Sequence, residues 1–509
     1  MLTLSSENNP EDRALEDHPN RTFWYLLAIL LLGLILRLIR LDTVLWGDEV
    51  ATWAFARRHP LVEMLVYSLH DPTPPLYYIL MHFIIPLLGA SIVMLRLPSV
   101  LLGVALIPVV YWSMRQASFN KIDALVATLL AAMSSVLIYY SQEARAYALL
   151  AFLGTLSVGM LYYRFRNPGW CNDLLYGLVL LLLVTTSYYG LALAAAEMIC
   201  LVIYRVWKTL FAGMVALALT GGLIAYQSLA NSFAWGAAGR AIDLNAILSF
   251  LNTLTIGTIG MRTLTVMANG QLLAFPIEPF NTILAIVGFF LYMGIVFVGV
   301  RSYRRLQAEQ RKSLIVLLAC IAIPVGLALL AGSPLSPRPQ WLLRGLIFIW
   351  PLFLMATVIS LKFSRWRPAF VLGILALNAF SLYPYYTTYI RWLDQPMFDT
   401  LNQITTADDL IVSDPWYMYN VIDYYYDGPA PMVGSYGEEG WLDAIAMTKS
   451  NRYEPIRLKE TPHPKNNIYV YYRRGGLKWL DSFPNNRVFT FDDQRRVWRE
   501  IDPASGEWK

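Results

Sequence analysis

"FWYLLAILLLGLILRLI" occupies residues 23–39. At 1.5 Å per residue, a helix over this run and its flanks crosses a hydrocarbon core of about 30 Å. Backbone polar groups in lipid must be satisfied within the segment, so the run reads as a transmembrane α-helix. The rest of the chain is of the same kind. Of 509 residues, 57% are hydrophobic and 15% charged, too little polar surface to cover a water-soluble protein of this length. A polytopic, all-α membrane domain follows. With 22–41, further candidate spans at 92–114, 121–140, 143–163, 172–187, 189–204, 209–229, 280–300, 313–331, 340–361 and 368–389 bring the count to about eleven.

Charge sets the expected orientation. Basic residues collect at Arg115/Lys121, Arg164/Arg166, Arg205/Lys208, "RSYRRLQAEQRK" (301–312) and "KFSRWR" (362–367). With a cytosolic N-terminus these clusters all fall on the cytosolic side, as the bias of Lys and Arg toward cytoplasmic loops requires. Counting "PPLYYILMHFIIPLLGA" (74–90) as a span would invert every later basic loop. It is therefore expected as an interfacial helix, with Tyr77, Tyr78 and His82 toward the headgroups. Residues 1–21, acidic and without a basic n-region or cleavage site, read as a disordered cytosolic tail before an uncleaved anchor. The transmembrane domain is expected over 22–390, with an extracytoplasmic first loop at 42–91.

Beyond about residue 390 the character changes. "DLIVSDPWYMYNVIDYYYDG" (409–428), "NNIYVYYRRGG" (466–476), "RVFTFDD" (487–493) and "RRVWREID" (495–502) read as short strands with one or two helices. Residues 391–509 are therefore expected as a small α/β domain, extracytoplasmic if the number of spans is odd. Cys171, Cys200 and Cys320 lie in or beside apolar runs without disulfide or metal-like spacing, and read as small buried hydrophobes.

Four polar sets stand at the outward ends of the apolar segments. In "LWGDEVATW" (45–53), Asp48 and Glu49 open a helix just beyond the first span. One reading makes Asp48 an N-cap with Glu49 at the positive end of the helix dipole; the other makes the pair chemical. "HDPTPPLYY" (70–78) puts His70 and Asp71 before a Pro-stiffened turn, either a rigid Asx-type turn or the rim of a site. "LRLPSVLLG" (95–103) carries Arg96, and "YYSQEARAYALL" (139–150) carries Glu143 and Arg145, with Tyr147 beside them. Arg344 in "WLLRGLIF" and Arg338 in "SPLSPRPQW" complete the group. Lone arginines near helix ends are usually interface anchors. Cations gathered at the outward end run against the charge bias, however, and a phosphate at headgroup level would account for them, since guanidinium recognises it bidentately. A nearby carboxylate could then take the proton of an attacking hydroxyl, and fixed charges would stabilise a departing lipid phosphate. No P-loop or Rossmann fingerprint is present.

These motifs resemble the GT-C superfamily of polytopic glycosyltransferases, in the branch of protein O-mannosyltransferases and bacterial aminoarabinose transferases (family 39-type). The likeness is dense over 42–154, through "WGDEVATWA", "HDPTPPLYYILMHFIIPLLG", "MLRLPSVLLGV" and "YYSQEARAYALLAFLG". It implies inverting transfer of a sugar from a polyprenyl-phosphate donor to a hydroxyl or phosphate of a lipid, glycan or protein acceptor on the outer face of a cell membrane. Carried over residue by residue, it implies Asp48 as base, Glu49 as its acidic neighbour, and Arg96, Glu143, Arg145 and Arg344 around the donor phosphate. Where the family commonly has His in "HPPLYY", this chain has Thr73, with His70 and Asp71 just upstream. Some relatives hold a divalent metal in this cavity; none is expected here, nor any other cofactor, nor a nucleic-acid partner. The alternatives of the same composition are a transporter or lipid-linked-sugar flippase, which would favour internal repeats and midplane charges such as Glu197, and a scaffold displaying the C-terminal domain.

Overall fold

The computed structural model describes residues 19–68, 73–230, 253, 263–268, 271–276, 278–333, 343–387, 395–413, 419–434, 443–447, 453–457, 465–471, 487–492 and 497–502. The chain divides into two compact units, one of residues 1–41 and 59–389, the other of 42–58 and 390–509. The first loop is thus shared: 42–58 belongs with the C-terminal unit, 59–91 with the helical one.

In the first unit α1 (Pro19–Leu38) begins on a proline, whose missing N–H is no loss at a first helical position. The short helix α2 (Gly47–Ala56) belongs to the other unit. Then come α3 (Leu61–Ser68), α4 (Leu76–Leu88) and α5 (Ile92–Gln116), the last capped by the Ser91 hydroxyl, which accepts from the Met94 amide. Asn120 caps α6 (Lys121–Met133), and Ser134 breaks the chain and caps α7 (Ser135–Ser141), so the pair bends by 56°. Asn378 accepts from the Ser135 amide at 2.9 Å, satisfying a group freed at the break. The series continues with α8 (Tyr147–Arg166), α9 (Trp170–Thr186), α10 (Gly190–Ile203) and α11 (Trp207–Ala230). A hairpin of β1 (Thr263–Ala268) and β2 (Gln271–Pro276) precedes α12 (Glu278–Tyr303) and α13 (Ala308–Ala331). A 3-10 turn (Leu343–Leu346), α14 (Ile349–Leu361) and α15 (Arg367–Thr387) close the unit.

Among the described residues six helices are long and apolar enough to cross a membrane, or seven if the α6–α7 pair is one span. Helices α4, α9, α10 and α14 are apolar but shorter. Three candidate spans differ in detail from the sequence reading. The span at 121–140 is broken at Ser134, that at 143–163 becomes α-helical only at Tyr147, and that at 340–361 holds a 3-10 turn before α14. Helix α4 also departs from an interfacial helix presenting Tyr77, Tyr78 and His82 to headgroups. All three are buried, and Phe83, Leu87 and Leu88 are exposed instead. The tyrosine hydroxyls find partners inside, and a face of purely apolar side chains turns outward.

The five basic clusters meet at one end of this unit. Arg166 donates to the Arg115 carbonyl at 3.1 Å, and Gln310 to that of Ser118 at 3.0 Å. Lys362 and Arg367 both pair with the buried Asp123, at 2.9 and 2.6 Å, and the Lys312 ammonium stands over the rings of Phe165 and Tyr204. Arg96 and Arg145 lie at the opposite ends of helices whose far termini carry Arg115 and Arg164. Glu197, the mid-helix carboxylate, is buried and accepts from Ser157 and Tyr176, each at 2.7 Å.

The second unit holds α16 (Gln395–Ile404), β3 (Leu410–Ser413), α17 (Tyr419–Tyr425), β4 (Met432–Gly434), β5 (Asp443–Met447), β6 (Tyr453–Arg457), β7 (Asn467–Tyr471), β8 (Arg487–Asp492) and β9 (Val497–Ile501). The strands form one mixed sheet in the order β6-β5-β4-β3-β7-β8-β9. Its centre is parallel, with Ile411 opposite Met432 and Leu410 opposite Ile468, while β5, β6 and β9 pair antiparallel. Alternate residues Leu410, Val412, Ile468 and Val470 join Val433, Val488 and Ile501 in one core cluster, as a strand period of two demands. Buried Asp409 fixes the register, accepting from the Thr406 amide at 2.7 Å and the Asn467 amide at 2.9 Å.

Candidate active site

The acidic pair of the first loop divides its work. Trp46, not Asp48, is the N-cap of α2, so the reading of Asp48 as the capping residue is corrected. The capping carboxylate is Glu49, three residues on, which accepts the Trp46 backbone N–H at 3.2 Å and is fully buried. That is the reciprocal half of a capping box. Asp48 stands in the first turn, half-buried, where the helix dipole favours its negative charge.

The C-terminal unit holds this helix in place. The phenol of Tyr425 accepts the Leu45 amide at 2.7 Å, and its ring stacks on Phe398 with centroids 5.2 Å apart. Asp423 forms an ion pair with Arg57, whose guanidinium also lies 3.8 Å over the Trp53 ring. Trp53 meets Tyr424 edge to face. Successive residues of α17 thus grip the segment bearing Asp48 at both ends. Burial raises the Asp423 carboxyl above its usual range, and Arg57 offsets that only in part. Sequence reasoning missed this contact. The tyrosine run "YYY" (424–426) was its signal, and it reads equally well as core.

In the helical unit the arginines lie among hydroxyl groups. Residues 142–146 form a turn between α7 and α8, and Arg145 there donates to the Tyr78 hydroxyl at 3.1 Å and to that of Thr73 at 3.3 Å. Tyr77, its neighbour on α4, bonds Ser99 of α5 at 2.7 Å, and Ser99 in turn donates to the Arg145 carbonyl at 3.2 Å. Three of the four quoted motifs therefore converge here, through Thr73, Tyr78, Ser99 and Arg145. Thr73, the departure from the family pattern, is an acceptor for the guanidinium.

The turn itself is fixed from beneath. Gln142 donates to the carbonyls of Arg37 and Ile39 at 2.9 and 2.8 Å. Arg37, fully buried, donates to Ser141 and to the carbonyls of Gly33 and Ala132. Ser141 packs so close to Gly103 that an added Cβ there would fall 2.0 Å from its hydroxyl oxygen. Tyr140 and Tyr147 meet edge to face at 5.0 Å.

Of the other candidate residues, Arg96 is buried and donates to the Leu41 carbonyl at 2.9 Å, where it steadies the turn that follows α1. Glu143 is buried in the turn, and its carbonyl accepts the Arg145 amide. Arg344, in the 3-10 turn, has its guanidinium 5.7 Å from the Tyr147 ring, so Arg344 and Tyr147 are neighbours. His70, Asp71 and Arg338 lie outside the described residues. Among the described residues no three His, Cys, Asp or Glu side chains converge as metal ligands would.

No protein-family model matches this sequence, and neither does any curated protein. Solved structures do. ArnT from Cupriavidus metallidurans in the apo state superposes with a TM-score of 0.54 at 13% identity, over 81% of this chain and 85% of that one. The same protein bound to undecaprenyl phosphate gives 0.52 at 12% identity, over 82% and 87%. The oligosaccharyltransferase of Archaeoglobus fulgidus, tethered to an acceptor peptide, gives 0.47 at 14% identity, over 81% and 63%. At such low identity the likeness concerns the arrangement of the chain. On that ground the chain has the fold of the GT-C membrane glycosyltransferases.

Proposed function

We propose that this protein is an inverting glycosyltransferase that moves a sugar from a polyprenyl-phosphate donor to a hydroxyl or phosphate of a lipid, glycan or protein acceptor. The reading places it as a multi-pass protein of the cell membrane, with about eleven spans, a cytosolic N-terminus, and its site and C-terminal unit on the outer face. The observation that carries it is Arg145, held by Tyr78 and Thr73 at the end of the helices away from the basic clusters. An arginine so held is oriented in advance, and guanidinium suits a phosphate better than any other side chain. The shared fold with a protein solved with undecaprenyl phosphate supports the lipid-linked donor.

In this reading Asp48 is the base. It takes the proton of the acceptor hydroxyl as that oxygen attacks the anomeric carbon. The bond between that carbon and the phosphate oxygen breaks, and polyprenyl phosphate leaves as the anion. Arg145, with Arg344 and Arg96, offsets the charge developing on that phosphate, with Glu143, Tyr147, His70 and Asp71 in the donor region. Catalysis would come from positioning and fixed charge. Glu49 serves through its cap, holding the turn that presents Asp48.

A transporter or flippase is less well supported. Its best feature, Glu197, is bonded to Ser157 and Tyr176 and closed off as a structural carboxylate. The direct test supplies the purified protein in nanodiscs with polyprenyl-phosphate sugars and extracted envelope lipids and glycans. The expected result is a glycosylated acceptor with equimolar free polyprenyl phosphate. Movement of the intact donor between leaflets, with neither product, would overturn the reading.

A further inference from the structure

A groove of about 470 Å³ runs between α9 and α11, lined by none of the candidate-site residues. Its walls are the exposed side chains of Leu174 and Leu178 on one helix and Phe211, Val215 and Leu219 on the other. Its floor is made of small residues, Gly177, Ala212 and Ala216. A Cβ on Gly177 would come 3.1 Å from the Ala212 carbonyl oxygen, so the helices approach closely behind the groove. The lining runs from Trp170 to Leu181 and from Lys208 to Leu219, about 16 Å along each helix. That matches the depth of one leaflet, half of a core of about 30 Å.

One end is charged. Asp173 is held by Arg164 and by the Thr209 hydroxyl, and the Lys208 charge also acts on it. Lys208 is exposed at the rim beside Trp170, at the end of the unit where the basic clusters gather. An apolar slot one leaflet deep under an exposed ammonium is complementary to an anionic phospholipid. A tryptophan at the rim suits the headgroup level.

We infer that this groove holds one acyl chain of an anionic phospholipid, with the lipid phosphate on Lys208. The inference is independent of the proposed reaction. It is tested by native mass spectrometry of the detergent-purified full chain titrated with phosphatidylglycerol or phosphatidylcholine of matched chains. The expected result is one phosphatidylglycerol retained at least tenfold more tightly than phosphatidylcholine. Lys208→Gln removes the preference, and Ala212→Leu, which narrows the slot, weakens both lipids. Thermal unfolding of each variant in lipid-free detergent confirms that it is folded. Equal retention of the two lipids by the unaltered protein, or a preference unchanged in folded Lys208→Gln, would overturn the inference in favour of ordinary bulk lipid.

Discussion

The phenolic oxygen of Tyr425 accepts the backbone N–H of Leu45 at 2.7 Å, a bond between residues 380 apart in the chain that fixes the segment leading to Asp48. Both residues are buried, so no water replaces the partner if it is lost. Tyr425→Phe keeps the stack on Phe398 and leaves the Leu45 amide unsatisfied. It is expected to cost about 1–3 kcal/mol, read as a lower unfolding temperature of the purified protein. Tyr425→Ala also loses the stack and should cost more. Equal stability of Tyr425→Phe and the unaltered protein would remove this clamp.

Glu49 and Asp48 should separate by what they change. Glu49→Ala removes the capping acceptor of α2, a loss of about 0.5–2 kcal/mol. Glu49→Gln keeps an acceptor at N3 and should recover most of it. Asp48→Asn should leave the unfolding temperature close to that of the unaltered protein, since Asn is tolerated in a first turn. A stability loss in Asp48→Asn as large as in Glu49→Ala would return Asp48 to a capping role.

The Arg57–Asp423 pair gives a pH dependence with a definite sign. Burial raises the Asp423 carboxyl above its ordinary value of 3.8, and Arg57 offsets this only in part. The folded unit therefore binds this proton more tightly than the unfolded chain. Its contribution to stability is full below the ordinary value and is lost as pH rises through the raised one. The unaltered protein should lose more stability than Asp423→Asn on going from about pH 3.8 to neutrality. An identical pH profile in the two proteins would contradict it.

Arg145→Lys tests geometry against charge. Lysine keeps the cation but cannot reach Tyr78 and Thr73 together with a bidentate phosphate. Loss of one charge-assisted contact of about 1.5–3 kcal/mol corresponds to transfer slower by about ten- to a hundredfold. The stability of this variant is expected to fall far less than its rate. Unchanged transfer would take Arg145 out of the donor region.

Much of the helical unit was legible in its hydropathy. All of the run 23–39 but its last residue falls within α1, and every candidate span contains helix. The breaks were not legible, because Ser134 and the turn at 142–146 look like ordinary residues in apolar sequence. They are stabilised by distant partners, Asn378 for one and, through Gln142, the carbonyls of Arg37 and Ile39 for the other. The burial of Tyr77 and Tyr78 was hidden for a related reason. An aromatic with a hydroxyl suits a headgroup layer or a polar interior equally, and only Ser99 and Arg145 decide between them. The quoted motifs did single out Arg145. No local pattern joins Leu45 to Tyr425, so the attachment of α2 to the C-terminal unit emerges only from the fold.

The central claim is that Asp48 is the base of a lipid-linked sugar transfer. Its most direct measurement is mass spectrometry of envelope glycans and glycolipids from a strain lacking the gene, complemented with either the unaltered protein or Asp48→Asn at matched membrane levels. The account predicts one missing sugar in the deletion, restored by the unaltered protein and reduced about 10²–10⁴-fold in rate with Asp48→Asn. Full restoration of that sugar by Asp48→Asn would contradict it.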